Sequence, residues 1–219
     1  AVDYVTVPPW DERERLMQEK QALGFFFSGH PFDAVKGEVS RFVRRNLSQL
    51  EPQKDFQLLA GLVTGVRTKI TQRGKMAFIQ LDDGSDMKEV SVFSETFDAN
   101  RQRLKEDEVL VVEGKVQKDD FSGGLRIVAE NIYTLAEARG RFARQLRLAM
   151  NGNGEARKLQ NLIAPYVSPE GCPIRIAYTN PVASCELRLG EKARVRPDEE
   201  LLKSLRDWMT PEAVDLQYQ

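Results

Sequence analysis

Arg67, Lys69, Arg73 and Lys75 crowd into the stretch "VRTKITQRGKMAFIQLDDGS", Val66 to Ser85, ahead of its first acid at Asp82, with Phe78 just behind them. Cations at this density neutralise phosphates, and an exposed aromatic face beside them stacks a base, each stack contributing about 1 to 3 kcal/mol. These residue types therefore suit single-stranded nucleic acid. Lys118 and Phe121 in "KDDFSGG" repeat the combination, and Phe93 is a further stacking candidate. The competing reading is an ordinary solvated hairpin whose two phenylalanines, Phe78 and Phe93, are core.

The whole chain does not share this charge. Its 219 residues carry 32 basic and 33 acidic side chains, a net charge of -1, which excludes coating of nucleic acid through bulk charge and leaves a local patch. A hydrophobic content of 41% with 30% charged residues describes a globular chain with real cores. No apolar run approaches the roughly 20 residues of a membrane-spanning helix, so no membrane partner is expected. The start at Ala1, without Met and in the extended "AVDYVTVPPW", is what a piece of a longer protein would show.

Other groups that could do chemistry read as structural. Cys172 and Cys185 have no His or Cys companions, which excludes a metal motif and a disulfide framework. His30, directly before Pro31, suits local capping. Asp82-Asp83 and Asp119-Asp120 precede glycine-containing turns, and no P-loop spacing is present. Neither a metal nor a cofactor is expected.

The elements that must position the cations follow from periodicity. A helix is predicted from about Asp11 to Leu23, ended by Gly24, and a second from about Pro31 to Arg44, with Phe25 to Phe27 as core between them. From Phe56 to Leu135 the period becomes strand-like in five runs, with a helical stretch, "ETFDANRQRLKED", between the third and fourth. That order is an OB-fold, whose ligand face is strands two and three with the flanking one-to-two and four-to-five loops. Alternation turns Ala77, Ile79 and Leu81 inward and Met76, Phe78 and Gln80 outward. Arg139, Arg141, Arg144 and Arg147 then read as a basic linker or strand entrance leading into the flexible "NGNG". The last part reads as strand, helix, hairpin, helix and strand. Leu201, Leu202, Leu205 and Trp208 form one helical stripe, mostly core, with Trp208 also suited to anchor a partner. The fold class is α+β: N-terminal helices (1–52), a five-stranded OB-fold barrel (53–137) and a small C-terminal α/β unit (138–219).

The ordered stretches "EKQALGFFFSGHPFDA", "AGLVTGVRTKITQRGKMAFIQLDDGS", "EVSVFSETFD", "KEDEVLVVEGKVQKDDFSGGLRIVAENI" and "LRLGEKARVRPDEELLKSL" resemble the C-terminal region of the bacterial DNA polymerase III alpha subunits. The resemblance runs from about Trp10 to Tyr218. It implies a cytoplasmic, non-catalytic portion of a DNA-directed DNA polymerase, a nucleotidyltransferase whose palm aspartates lie upstream. Its implied partners are single-stranded template, the remainder of the polymerase chain and the clamp-loader tau subunit. On the template side it implies Arg67, Lys69, Arg73, Lys75 and Phe78, with Lys118, Phe121 and Arg126 from "KDDFSGGLR". On the tau side the tail as a whole is implied, with Leu201, Leu205, Trp208 and Tyr218 as candidates. The alternatives are an anticodon-binding appendage of a tRNA synthetase, suggested by "MAFIQLDD", and a pure protein-interaction scaffold.

Overall fold

The computed structural model describes residues 9–10, 12–72, 74–120, 123–151 and 155–218. Helix α1, Glu12–Leu23, opens with Glu12 and Glu14 against the positive end of its dipole. It closes at Gly24, whose φ of +82° is the left-handed conformation that glycine tolerates, with the Gly24 N–H donating to the Lys20 carbonyl at 2.8 Å. Phe25 to Phe27 do not form the expected core. The Glu19 carboxylate accepts the N–H groups of Phe27 and Ser28 at 2.8 Å each, which fixes the backbone without burying the rings. Phe25 and Phe27 stay exposed, and Phe26 is half-buried, edge-on to His30.

Helix α2, Asp33–Val39, is shorter than the predicted Pro31–Arg44. Its N-cap is Phe32, without a side-chain cap, and His30 instead holds the preceding turn: its Nδ1 accepts from the Phe32 N–H at 3.2 Å and its carbonyl from the Asp33 N–H at 2.8 Å. Phe32, Val39 and Val43 bury against Ala60, Val111 and Ala138, which seats the helix on the barrel wall.

The barrel is built from β1 (Gln57–Thr71), β2 (Gly74–Asp82), β3 (Met87–Val92), β4 (Val109–Lys118) and β5 (Leu125–Thr134), with helix α3, Ser94–Asn100, between β3 and β4. It closes in the order β1-β2-β3-β5-β4, antiparallel except for the β3–β5 pair. That is the OB topology the sequence predicts. Alternation accounts for much of the interior: Ala77, Ile79, Leu81, Val90, Val92, Val112 and Val116 are fully buried, with Leu47 and Phe97 among the residues that complete this core, but Met76, expected to point outward, is also buried. The Asp82-Asp83 pair is a turn, as expected. Asp83 is buried and accepts from the Leu47 and Ser85 N–H groups at 2.8 Å each and from the Ser85 hydroxyl at 2.6 Å. Burial raises its carboxyl, but these hydrogen bonds outweigh burial and hold it below the usual range.

Beyond β5 the basic stretch is a strand entrance and not a linker. Helix α4, Leu135–Phe142, starts on a reciprocal capping box between Thr134 and Glu137, and Ala143–Met150 is strand β6. There follow α5 (Ala156–Ile163), β7 (Val167–Cys172), β8 (Ile174–Thr179), β9 (Ser184–Arg188), α6 (Glu199–Trp208) and β10 (Val214–Tyr218). The sheet order is β10-β6-β8-β9, with β6 and β8 parallel. Strand β7 was not expected. It lies against Val195 at Gly171, where a Cβ would stand 2.3 Å from the Val195 backbone, so only glycine fits. The "NGNG" joint falls on Gly152 to Gly154, outside the described residues.

Arg139 joins the parts. It is 4% exposed, and its guanidinium donates twice to Glu38 of α2, at 2.8 and 2.7 Å, and pairs with Glu199 of α6 at 3.0 Å. The Tyr218 hydroxyl at the end of β10 donates to the same Glu38 at 2.5 Å. Burial would raise the Glu38 carboxyl, yet the Arg139 hydrogen bonds and charge outweigh it and leave the group below its ordinary range. Both burial and the Glu38 bond push the Tyr218 phenol up.

Candidate nucleic-acid interface

The predicted hairpin forms, with Arg67 and Lys69 on the outward parity of Phe78 and Lys75 exposed on the opposite parity, that of Ala77. In the β1–β2 register Arg67 stands opposite Phe78, Lys69 opposite Met76 and Ile70 opposite Lys75. Arg67, Lys69 and Lys75 are exposed, and Phe78 is half-buried on the outer face, opposite Ser91 of β3. The Arg67 guanidinium lies over the Phe78 ring, 5.7 Å from its centroid. A planar guanidinium on an aromatic ring presents a flat cationic platform suited to a base and its phosphate. Lys75 sits 5.7 Å from the centroid of Phe97, at the foot of the same strand.

The other sites are placed as follows. Phe93, 42% exposed, is the N-cap of α3 where β3 ends, so it borders the face without lying on it. Lys118 and Arg126 are exposed at the ends of β4 and β5, beside the loop that joins them. Arg73 and Phe121 lie outside the described residues. Among the described residues, no carboxylate comes within 4 Å of the charged ends of Lys69, Lys75, Lys118 or Arg126, so these cations are available for phosphates.

Sequence reasoning missed two features of this face. Glu89, opposite Gln80 on β3, pairs with Arg67 at 2.5 Å and accepts from the Gln80 amide at 3.2 Å. A carboxylate thus sits on the predicted face and competes with phosphate for Arg67. Its signal was legible, since Glu89 shares the outward parity of Ser91. The other, on the far side of the barrel, is Phe56, which reads in sequence only as the start of the first strand run and is 46% exposed with Lys115 over its ring.

The tail candidates are corrected in part. Leu201 and Leu205 are fully buried in the core under α6 and offer no surface to a partner, because the stripe faces the sheet. Tyr218 is engaged internally, stacked on Phe42 at 5.0 Å as well as bonded to Glu38. Trp208 is half-buried at the mouth of an open cleft of about 630 Å³, lined also by Arg147, Met150, Lys158, Thr179 and Met209. Its indole N–H donates to Glu155 at 3.2 Å, and Lys158 lies 5.2 Å over the ring. The four arginines of the supposed linker divide: Arg139 is buried, Arg141 lies over Tyr133, Arg144 is exposed and Arg147 lines the cleft.

Both cysteines are free, Cys172 buried and Cys185 exposed, and burial pushes the Cys172 thiol up to about 11. Among the described residues no three His, Cys, Asp or Glu side chains converge as metal ligands, and no helix is long and apolar enough to cross a membrane.

Residues 58–135 match the family of OB-fold nucleic acid binding domains, and residues 158–209 match the C-terminal domain of DNA polymerase III subunit alpha. DNA polymerase III subunit alpha of Pseudomonas aeruginosa is 41% identical over 94% of this chain, that of Neisseria meningitidis 40% over 93%, and that of Escherichia coli 32% over 98%. The chain spans only 18 to 19% of the length of these relatives. A domain of replication protein A from Methanococcus maripaludis aligns with 42% of this chain and 96% of its own, at 21% identity and a TM-score of 0.34, too loose a match to carry weight. Over nearly its whole length the chain matches the C-terminal portion of DNA polymerase III alpha subunits, with an OB-fold nucleic acid binding domain match followed by a match to the subunit's C-terminal domain.

Proposed function

We propose that this chain is a non-catalytic, cytoplasmic part of a replicative polymerase that guides single-stranded template across its barrel. The observation that carries this reading is the Arg67–Phe78 platform on the outer face of β1 and β2, flanked by Lys69 and Lys75 without carboxylate partners among the described residues. Nucleotidyl transfer by the longer protein would be supplied by the rest of its chain. In this reading the barrel holds the incoming strand by phosphate neutralisation and stacking, without reading its sequence.

The test is Phe78→Ala, followed by fluorescence anisotropy with a single-stranded oligonucleotide. Affinity is expected to fall about 5-fold or more with little change in salt dependence, because stacking releases no counterions. Unchanged affinity, or a lowered melting temperature as the main effect, would reject Phe78 as a stacking residue.

The tail is proposed to dock the clamp-loader tau subunit. Two features support this: the match of residues 158–209 to the family's C-terminal domain, and the cleft at Trp208, where an aromatic anchor lies between apolar Met150 and Met209 and basic Arg147 and Lys158. Trp208→Ala is expected to weaken tau binding at least 10-fold in calorimetry, as loss of a central aromatic anchor does, while single-strand binding by the barrel is retained. Tau affinity unchanged by this substitution would move the docking site elsewhere.

A further inference from the structure

The ladder registers connect the platform to a second aromatic–cation pair on the far side of the barrel. Arg67 of β1 stands opposite Phe78 of β2, Phe78 opposite Ser91 of β3, Ser91 opposite Val128 of β5, and Val128 opposite Lys115 of β4. All five point outward, since the next residues along, Ile79, Val90, Ile127 and Val116, are 0 to 2% exposed in the interior. The row ends on Phe56, with the Lys115 ammonium 5.3 Å from its ring centroid. Phe56 is held there because residues 53–56 run beside the end of β4: the Gln53 N–H donates to the Val116 carbonyl at 3.1 Å, and Gln57 stands opposite Gly114.

The surroundings of this end favour an anion. Gln117 and Arg126 form the neighbouring cross-strand pair, and Lys54 and Lys118 are exposed nearby in sequence. Glu113, the acid on the same strand, is taken up by Asn131 at 2.9 Å and by the Tyr133 hydroxyl at 3.3 Å, while Glu130 and Asp55 are exposed. Lys115 has no carboxylate within 4 Å among the described residues, unlike Arg67, which Glu89 holds.

We infer that Phe56 and Lys115 form a second stacking station for single-stranded nucleic acid, joined to the Arg67–Phe78 platform by the outward row through Ser91 and Val128. This rests on the reading of the barrel as a single-strand binder and extends the path beyond strands two and three. Three strand spacings of about 4.8 Å put Lys115 about 14 Å from Phe78 around the wall. That span falls within the footprint of about 4 to 16 nucleotides that an OB-fold covers. Ser91 and Val128 place two uncharged side chains directly between the stations.

The test measures anisotropy of an oligothymidylate of about 15 nucleotides, long enough for both stations, on the 219-residue chain. Phe56→Ala is expected to weaken binding about 5-fold or more with an unchanged salt slope, and Lys115→Gln to make the slope shallower by about 0.7. Phe78→Ala serves as the reference. If Phe56→Ala and Lys115→Gln bind like the parent while Phe78→Ala is weakened, the second station is wrong and the barrel reading stands. If Phe78→Ala also binds like the parent, the barrel reading falls and the inference with it. Should Phe56→Ala lower the melting temperature, Lys115→Gln decides alone, because its exposed side chain supports no core.

Discussion

The barrel and the tail use the same residue types in opposite directions. On the barrel, Arg67 over Phe78 and Lys115 over Phe56 face outward, and each ring keeps a surface open to solvent. Where the tail meets the N-terminal helices, Phe42 stacks between Phe142 at 5.5 Å and Tyr218 at 5.0 Å, and Arg139 is buried against two carboxylates. Aromatic and basic residues therefore do not by themselves mark a binding face. What separates the two regions is whether packing has consumed the ring and buried the cation: Arg67 stays exposed even where Glu89 pairs with it, whereas Arg139 is buried.

The sharpest way to break this contrast is at Arg139. Arg139→Met leaves Glu38 without its cation, and breaking a buried pair costs about 3 kcal/mol at the lower end of its range, since Glu38 retains some solvent contact. For a chain of this size that lowers the melting temperature by about 6 to 12 °C. Single-strand affinity should be unaffected, because Arg139 lies away from the outer row. A loss of affinity with little loss of stability would place Arg139 on the nucleic-acid path instead of at the junction.

The same junction carries a smaller pH dependence. The Glu38 carboxyl is depressed in the folded chain, so its contribution is present above the ordinary carboxylate value of 4.5 and is lost as pH falls through the folded value. Melting temperature should therefore drop on acidification below about pH 4.5, and the part of that drop due to Glu38 should vanish in Glu38→Gln. Superimposable acid profiles for the two proteins would remove Glu38 from the account.

These residues also show where sequence reading works and where it stops. The barrel was legible because period-two alternation in β2, β3 and β4 is a local property, and turn residues such as Asp82 to Gly84 mark its strand ends. The hairpin cations were legible because they cluster in sequence. Helix α4 was missed although Thr134 and Glu137 spell a capping box, because the arginine run and Gly140 outweighed it. The Arg139 junction was not legible at all: Glu38 lies 101 residues away, and only the fold brings it to Arg139. The exposure of Phe56 was not legible for a related reason, since it depends on where β1 leaves β4. Leu201 and Leu205 were legible as a stripe, but a stripe specifies a buried face and not what covers it.

The central claim, that the β1–β2 hairpin binds single strands through the Arg67–Phe78 platform and the lysines Lys69 and Lys75, is tested most directly by one salt titration. Anisotropy of an oligothymidylate would be followed from low to moderate salt for the parent, Lys69→Gln with Lys75→Gln, and Glu89→Gln. Each phosphate contact contributes about 0.7 to the slope of log affinity against log salt on a single strand. The double variant should therefore be shallower by about 1.4, and Glu89→Gln, which releases Arg67, steeper by up to about 0.7. Three slopes that superimpose would contradict the assignment of this face.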